Sequence, residues 1–305
     1  LTSPARNGPR SVSTPHANTA RKWLDGLMAR TPTLLLSEPM TKIFFFDVDN
    51  TLLDHNTHAI PPSALSAIER IKHAGHTVVI ATGRSFGHAK PFIEQVRPSY
   101  VITLNGACIL KDGKEVLTIP LPRQPLLDLF DWMQGQGHYF GVNQGHVSYI
   151  SAAVPSVETP LRSVKMPVQT DDPFYLDQDV YQGWLFFDES LDDILFPAIQ
   201  ERFPDFDLVR WHKTAVDVLP KAVNKWTGCQ WVLAETGFQA HQAIAFGDGM
   251  NDMEMIKGVG IGIAMGNGHP ELKAVADRVA LPLHEDGIAI MLDELISARR
   301  LEAET

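Results

Sequence analysis

The 305-residue sequence has only two cysteines, Cys108 and Cys229. They lie far apart with no ligand cluster near either, which excludes a disulfide scaffold and a thiolate zinc centre. The pair is compatible with a reducing compartment, and a cytoplasmic protein is expected. Basic charge is also scarce: 26 Lys and Arg stand against 36 Asp and Glu, for a formal net charge of −10. That balance favours solubility and gives no support to a nucleic-acid or anionic-membrane surface. No stretch reaches ~18 nearly uncharged apolar residues, so no membrane span is expected. No strand-like run leads into Gly-x-Gly-x-x-Gly, which removes the dinucleotide-binding signature. Internal repeats are absent.

What is present is 44% hydrophobic residues against 20% charged, enough for one large domain or two ordinary ones. Residues 1–39 stand apart as an appended or disordered segment, rich in Pro, Ser, Thr, Asn and Arg at its start. They are poor in acids, as organellar transit peptides are, but lack the basic head and apolar core of a secretory signal.

The rest is organised around Ile43–Asp54. Ile43–Phe46 reads as a strand buried on both faces, and it runs into Asp47 and Asp49. Charges at the tip of a core strand are costly unless paired or metal-bound, so two of them mark a candidate site. The plainer reading is a polar turn or helix cap. Further apolar runs at Thr77–Ala81, Tyr100–Leu104 and Ala243–Phe246 alternate with helical patterns at Pro62–His73, Phe86–Val96 and Ala222–Thr236. This is the rhythm of an α/β fold with a Rossmann-like parallel sheet. Between about 122 and 212 the rhythm changes to short strands, turns and two helical segments, read as an inserted α+β domain. The core is therefore expected over 40–121 and 213–305, with Ala215–Leu219 as a strand of the resumed sheet. The aromatics of the insert, including Trp184 and Trp211, are read mainly as its core, with one or two facing a pocket.

Four expected strand ends carry polar groups: Asp47 and Asp49, Thr82, Asn105, and Asp248 and Asp252. Ligands of open parallel sheets bind outside the carboxyl ends of the strands, so the fold brings these groups together. Four acids in one place require a cation, and an all-oxygen donor set suits Mg²⁺ over zinc. Gly247 and Gly249 suit a tight turn. A calcium loop is disfavoured because its distal Glu is absent.

These motifs resemble the haloacid dehalogenase-like phosphohydrolases, in particular the Cof-type sugar phosphatases with a C2-type cap. The resemblance rests on Asp47-Val-Asp-Asn-Thr51, Thr82-Gly-Arg84, Lys221-Ala-Val-Asn-Lys225 and Gly247-Asp-Gly-Met-Asn-Asp252, spanning residues 42–300. It implies Asp47 as nucleophile and Asp49 as general acid and base. It implies Thr82, Gly83, Asn105, Asn251 and Lys225 at the phosphate or substrate, with Lys221 an exposed lysine at a helix start. Trp226 departs from the glycine usual after the lysine. Mg²⁺ is implied on Asp47, Asp49 through its carbonyl, Asp248 and Asp252, the last directly or through water. The implied reaction is hydrolysis of a small phosphorylated metabolite, probed by the cap; a phosphosugar mutase and a noncatalytic sugar-phosphate binder are the alternatives. His55 and His58 follow the catalytic loop and are further candidates for substrate contact.

Overall fold

The structure is a computed structural model describing residues 41–145, 147–163 and 168–303. The expectations for residues 1–39 lie outside the described residues. The chain first forms β1 (Ile43–Phe46), β2 (Thr77–Ala81), β3 (Tyr100–Thr103), β4 (Cys108–Lys111) and β5 (Lys114–Thr118). It then builds β6 (Tyr139–Asn143), β7 (Ser148–Ile150), β8 (Gln182–Phe186), β9 (Phe206–His212) and β10 (Ala215–Pro220) as a separate sheet. It returns to the first sheet for β11 (Ala243–Gly247), β12 (Ile261–Ala264) and β13 (Arg278–Val279).

The first sheet runs β13-β12-β11-β1-β2-β3-β4-β5. It is parallel from β13 to β3, and the β4–β5 hairpin adds two antiparallel strands. All four residues of β1 are buried, as an apolar run without alternation requires at the centre of a parallel sheet covered on both faces. Successive strands depart in opposite directions from the β1–β11 pair, so the sheet has its switch point there. Register does the rest. Phe46 pairs with Phe246 on one side and Ile80 on the other, so Asp47, Asp248 and Thr82 follow within two residues of one level.

The second sheet, β7-β6-β8-β10-β9, is antiparallel throughout. One face packs Phe140, Val142, Leu185, Val216 and Val218 against Leu126, Leu129, Phe130 and Met133 of the helix Arg123–Gly135 and Leu195 and Ile199 of Asp192–Arg202. Phe130 and Phe140 stack with centroids 4.0 Å apart. The aromatics of the insert thus fill its core, as expected.

Two expectations need correction. The strand anticipated over 215–219 forms, but as β10 it pairs with β8 and β9 and extends the inserted sheet to Pro220. A short, fully buried run carries no mark of which sheet it joins. The helix expected from Ala222 begins at Lys225, because Asn224 and Thr227 form a reciprocal cap: Asn224 Oδ1 accepts from the Thr227 N–H, and Thr227 Oγ1 from the Asn224 N–H. Trp226 fits because Gly258 lies opposite; a Cβ there would stand 2.3 Å from Trp226 Cε2.

The chain crosses between the two cores at two places. Ile119 belongs to the first core and Leu121 to the second, with Pro120 between them. Lys221 and Ala222 bond back to Asp205 and Asp207 in the insert, whereas Val223 is already in the first core. Among the described residues no helix is long and apolar enough to cross a membrane.

Candidate active site

The site forms at the carboxyl ends of β1, β2 and β11, beneath the insert. A cavity of about 940 Å³ lies there, with Asp47, Asp49, Gly83, Arg84, Asp248 and Asn251 on the core side. The insert contributes Gln182, Trp184, Arg210, Trp211 and Asp217.

Lys225, the first residue of its helix, is buried, and its Nζ donates to Oδ1 of Asp47 and Oδ1 of Asp252, each at 2.6 Å. Burial alone would lower the lysine pKa, but Asp252 and Asp47 outweigh it and raise it, so the ammonium stays charged. Lys221 is instead exposed and pairs with Asp207, as expected for the bystander of the two lysines. Asp252 organises the β11 loop. Its Oδ2 accepts the backbone N–H groups of Asp248 and Gly249, both at 3.0 Å, while Oδ1 takes Lys225. Neither Gly247 nor Gly249 has a positive φ. The need at Gly247 is space: a Cβ would stand 2.6 Å from Asp252 Cγ.

Asp47, Asp248 and Asp252 each present a carboxylate oxygen within 4.8 Å of the others. Burial pushes Asp47 well up, with Lys225 opposing and Asp252, Asp248 and Asp49 adding to the rise. Burial, reinforced by Asp252, likewise pushes Asp248 up to about 7. One lysine does not balance this many acids. The excess negative charge and the hard oxygen donors fit a divalent cation of the magnesium type, with Asp47 and Asp248 the residues best placed to hold it. Asp252 is already engaged by three protein donors.

Asp49 turns away from this cluster. Arg84 Nε donates to Oδ2 at 2.8 Å and Nη2 to Oδ1 at 2.5 Å, and His55 Nε2 lies 2.9 Å from Oδ1. Burial would raise Asp49, but the Arg84 and His55 bonds outweigh it and hold the carboxyl well below the usual carboxylate range. The same contact raises His55. The role of Arg84 was not read from the sequence, although a charge two residues beyond a buried strand was the available signal. His55 and His58 both line the cavity.

Thr82 is fully buried and its Oγ1 accepts from the Arg84 N–H at 3.1 Å; its neighbour Gly83 lines the cavity. Ser85, not Thr82, stands at the N-cap position of the helix Phe86–Val96, with no side-chain cap bond. Asn105 is buried and bridges two side chains: Nδ2 donates to Asp217 Oδ2 at 2.9 Å, and Oδ1 accepts from Asn251 Nδ2 at 3.0 Å. Asn251 itself reaches the cavity. Asp217 was also missed; a lone acid inside the apolar run Ala215–Leu219 was its signal.

A profile of haloacid dehalogenase-like hydrolases matches residues 44–292, almost the whole of the two sheets. The chain belongs to this family. It is 36% identical over 257 residues to YkrA of Bacillus subtilis strain 168, which carries a provisional phosphatase name; the match covers 84% of this chain and 98% of that protein. It is 27% identical over 273 residues to YitU of the same organism, a 5-amino-6-(5-phospho-D-ribitylamino)uracil phosphatase, covering 82% and 96%. Among solved structures, a superfamily phosphatase from Bacteroides thetaiotaomicron superposes with a TM-score of 0.76 at 27% identity, covering 84% of this chain and 95% of that one. The α/β core with its inserted cap and the cluster of three aspartates are thus those of a hydrolase of the phosphatase type, built for phosphoryl transfer.

Proposed function

We propose that this protein is a Mg²⁺-dependent phosphatase that hydrolyses small phosphomonoesters, sugar phosphates foremost, through an aspartyl-phosphate on Asp47, with the insert as a C2-type cap. The observation that carries this reading is the placement of Asp47: a buried carboxylate at a strand tip, 2.6 Å from the Lys225 ammonium, beside Asp248, and open to a cavity. A carboxylate nucleophile divides the reaction into two easier steps through a mixed anhydride that water opens. Lys225 would offset charge on the phosphoryl oxygens as they pass between donor and acceptor. Mg²⁺, when bound by Asp47 and Asp248, would neutralise phosphate charge and orient it for in-line attack.

Asp49 would protonate the leaving alkoxide and later deprotonate water. Its grip by Arg84 and His55 fits the second step, which needs the ionised carboxylate. The first step needs a proton on Asp49, so substrate entry must loosen that grip. The cap would close over the organic group and exclude bulk water during transfer. The printed activity of YitU, on a phosphorylated ribityl chain, supports a hydroxylated substrate. The buried, unpaired Cys108 and Cys229 support a reducing, cytoplasmic setting.

The test is phosphate release from a panel of sugar, polyol, nucleotide and pyridoxal phosphates with added Mg²⁺. Asp47→Asn should lose turnover by at least ~10³-fold while its circular dichroism stays that of the parent. A D47N protein that turns over at the parent rate would end this assignment.

A further inference from the structure

The cavity wall supplied by the insert is one face of its sheet. Asp217 pairs directly with Trp184, and Val216 with Leu185. Alternation turns Leu185, Val216 and Val218 toward the helices and leaves Gln182, Trp184 and Asp217 facing the cavity. An acid there is costly: Asp217 is only 6% exposed, and burial pushes its carboxyl up to about 7. Phosphoryl transfer at Asp47 has no use for it.

Asp217 is held from both sides. Gln182 and Trp184 lie beside it in the insert, and Trp184 is its cross-strand partner. From the core, Asn105 donates to Oδ2 and ties it on to Asn251, which sits between Asp248 and Asp252 in the β11 loop. The backbone that aims Asn105 is strained, since Leu104 and Asn105 both adopt left-handed φ, 53° and 52°. Gly106 follows at φ 103°, where a Cβ would stand 2.2 Å from the Asn224 carbonyl oxygen. The indole of Trp211 also lies beside Asp217, and its buried Nε1 has no partner in hydrogen-bond geometry within the protein. An open donor next to a carboxylate suits a group that both accepts and donates. Water can serve in an empty cavity, and a ligand hydroxyl in a filled one.

We propose that Asp217 is a specificity and positioning residue: with the open N–H of Trp211 it takes one hydroxyl of the substrate's organic part, and through Asn105 it couples that contact to Asn251 in the catalytic loop. The inference rests on the phosphatase reading above and deepens it. Asp217 selects by donor and acceptor pattern, and Trp184 and Trp211 supply apolar surface for the carbon skeleton. The Asn105 bridge makes a correctly seated organic group felt at the loop that carries Asp248 and Asp252.

The experiment compares the best sugar or polyol phosphate of the panel with phenyl phosphate, which has no hydroxyl, in the full chain with Mg²⁺. Asp217→Asn and Trp211→Phe should each lower kcat/KM on the hydroxylated substrate by about 30-fold. The loss on phenyl phosphate should be at least about tenfold smaller, because a hydroxyl contact is absent there. Trp211→Phe should act mostly on KM, and Asn105→Ala mostly on kcat for the hydroxylated substrate, since it keeps the contact and cuts the coupling. A purely structural role would lower both substrates alike. If the wild type is active and neither D217N nor W211F changes the preference, the inference fails and the phosphatase reading stands. Should D217N not fold, W211F decides alone, because it removes the N–H and keeps an aromatic side chain, and the phenyl phosphate arm reads the effect of the lost volume. If the wild type releases no phosphate from any substrate, both readings fall together.

Discussion

Arg84 grips Asp49 through two parallel hydrogen bonds, at 2.8 and 2.5 Å, while Asp47, two residues away, is held by a lysine instead. The two acids therefore titrate in opposite directions from their ordinary value, Asp47 upward and Asp49 downward. Such a split is how one fold gives neighbouring carboxylates different work.

Arg84→Met removes the donors that hold Asp49 down, so the Asp49 pKa rises. As pH is lowered, a step that needs ionised Asp49 then begins to fail sooner, at a higher pH than in wild type. The acidic limb of kcat should move upward by about one pH unit or more, read from a pH–rate profile of R84M against wild type.

Lys225→Met leaves buried Asp47 and Asp252 without their cation. Removing one partner of a buried ion pair costs about 3–5 kcal/mol, and the phosphoryl group loses its positive neighbour. Denaturant titration should show that loss, and turnover should fall by at least ~10³-fold. Lys221→Ala, at an exposed pair, should change neither.

Mg²⁺ should raise the melting temperature as well as support turnover, because it relieves repulsion among Asp47, Asp248 and Asp252. At a concentration 100 times its dissociation constant the gain is about 2.7 kcal/mol. Chelation should abolish turnover, and fresh Mg²⁺ should restore it. Full activity in the presence of excess chelator would exclude the metal.

Asp217 has a pH signature of its own. Its folded pKa, about 7, lies above the unfolded value near 3.8, so the folded state binds more protons between those limits. Its contribution is most favourable below about pH 4 and is lost as pH rises through 7. Asp217→Asn, which carries no charge at any pH, should therefore gain stability over wild type at pH 8 relative to pH 5, by about 1–3 kcal/mol. Melting curves at the two pH values check the sign.

Much of this was legible because each signal was local. Ile43–Phe46 declares a doubly buried strand by its lack of alternation, and Asp47 declares a site by its cost there. Pairing register then carries Asp248 and Thr82 to the same level without further information. What the sequence does not carry is partnership across long separations. Asp49 and Arg84 are 35 residues apart, and Asn105 and Asp217 are 112 apart. Nothing in either segment names its partner, and β10 could as well have joined the first sheet. Side-chain direction was hidden in the same way. Asn105 reads as a strand-end polar group near the substrate, but its left-handed backbone aims it at Asp217 and Asn251.

The two crossings at Pro120 and Ala222 have a mechanical consequence. Each is about one residue long, so a swing of the second sheet would pivot at these two points. The second pivot is Ala222, with φ at 61°, three residues before Lys225. With the insert proposed as a lid, its hinge would have as far leaf the cap of the helix that Lys225 begins. The motion proposed to admit or release a substrate would be delivered first to Lys225, the ammonium bonded to Asp47.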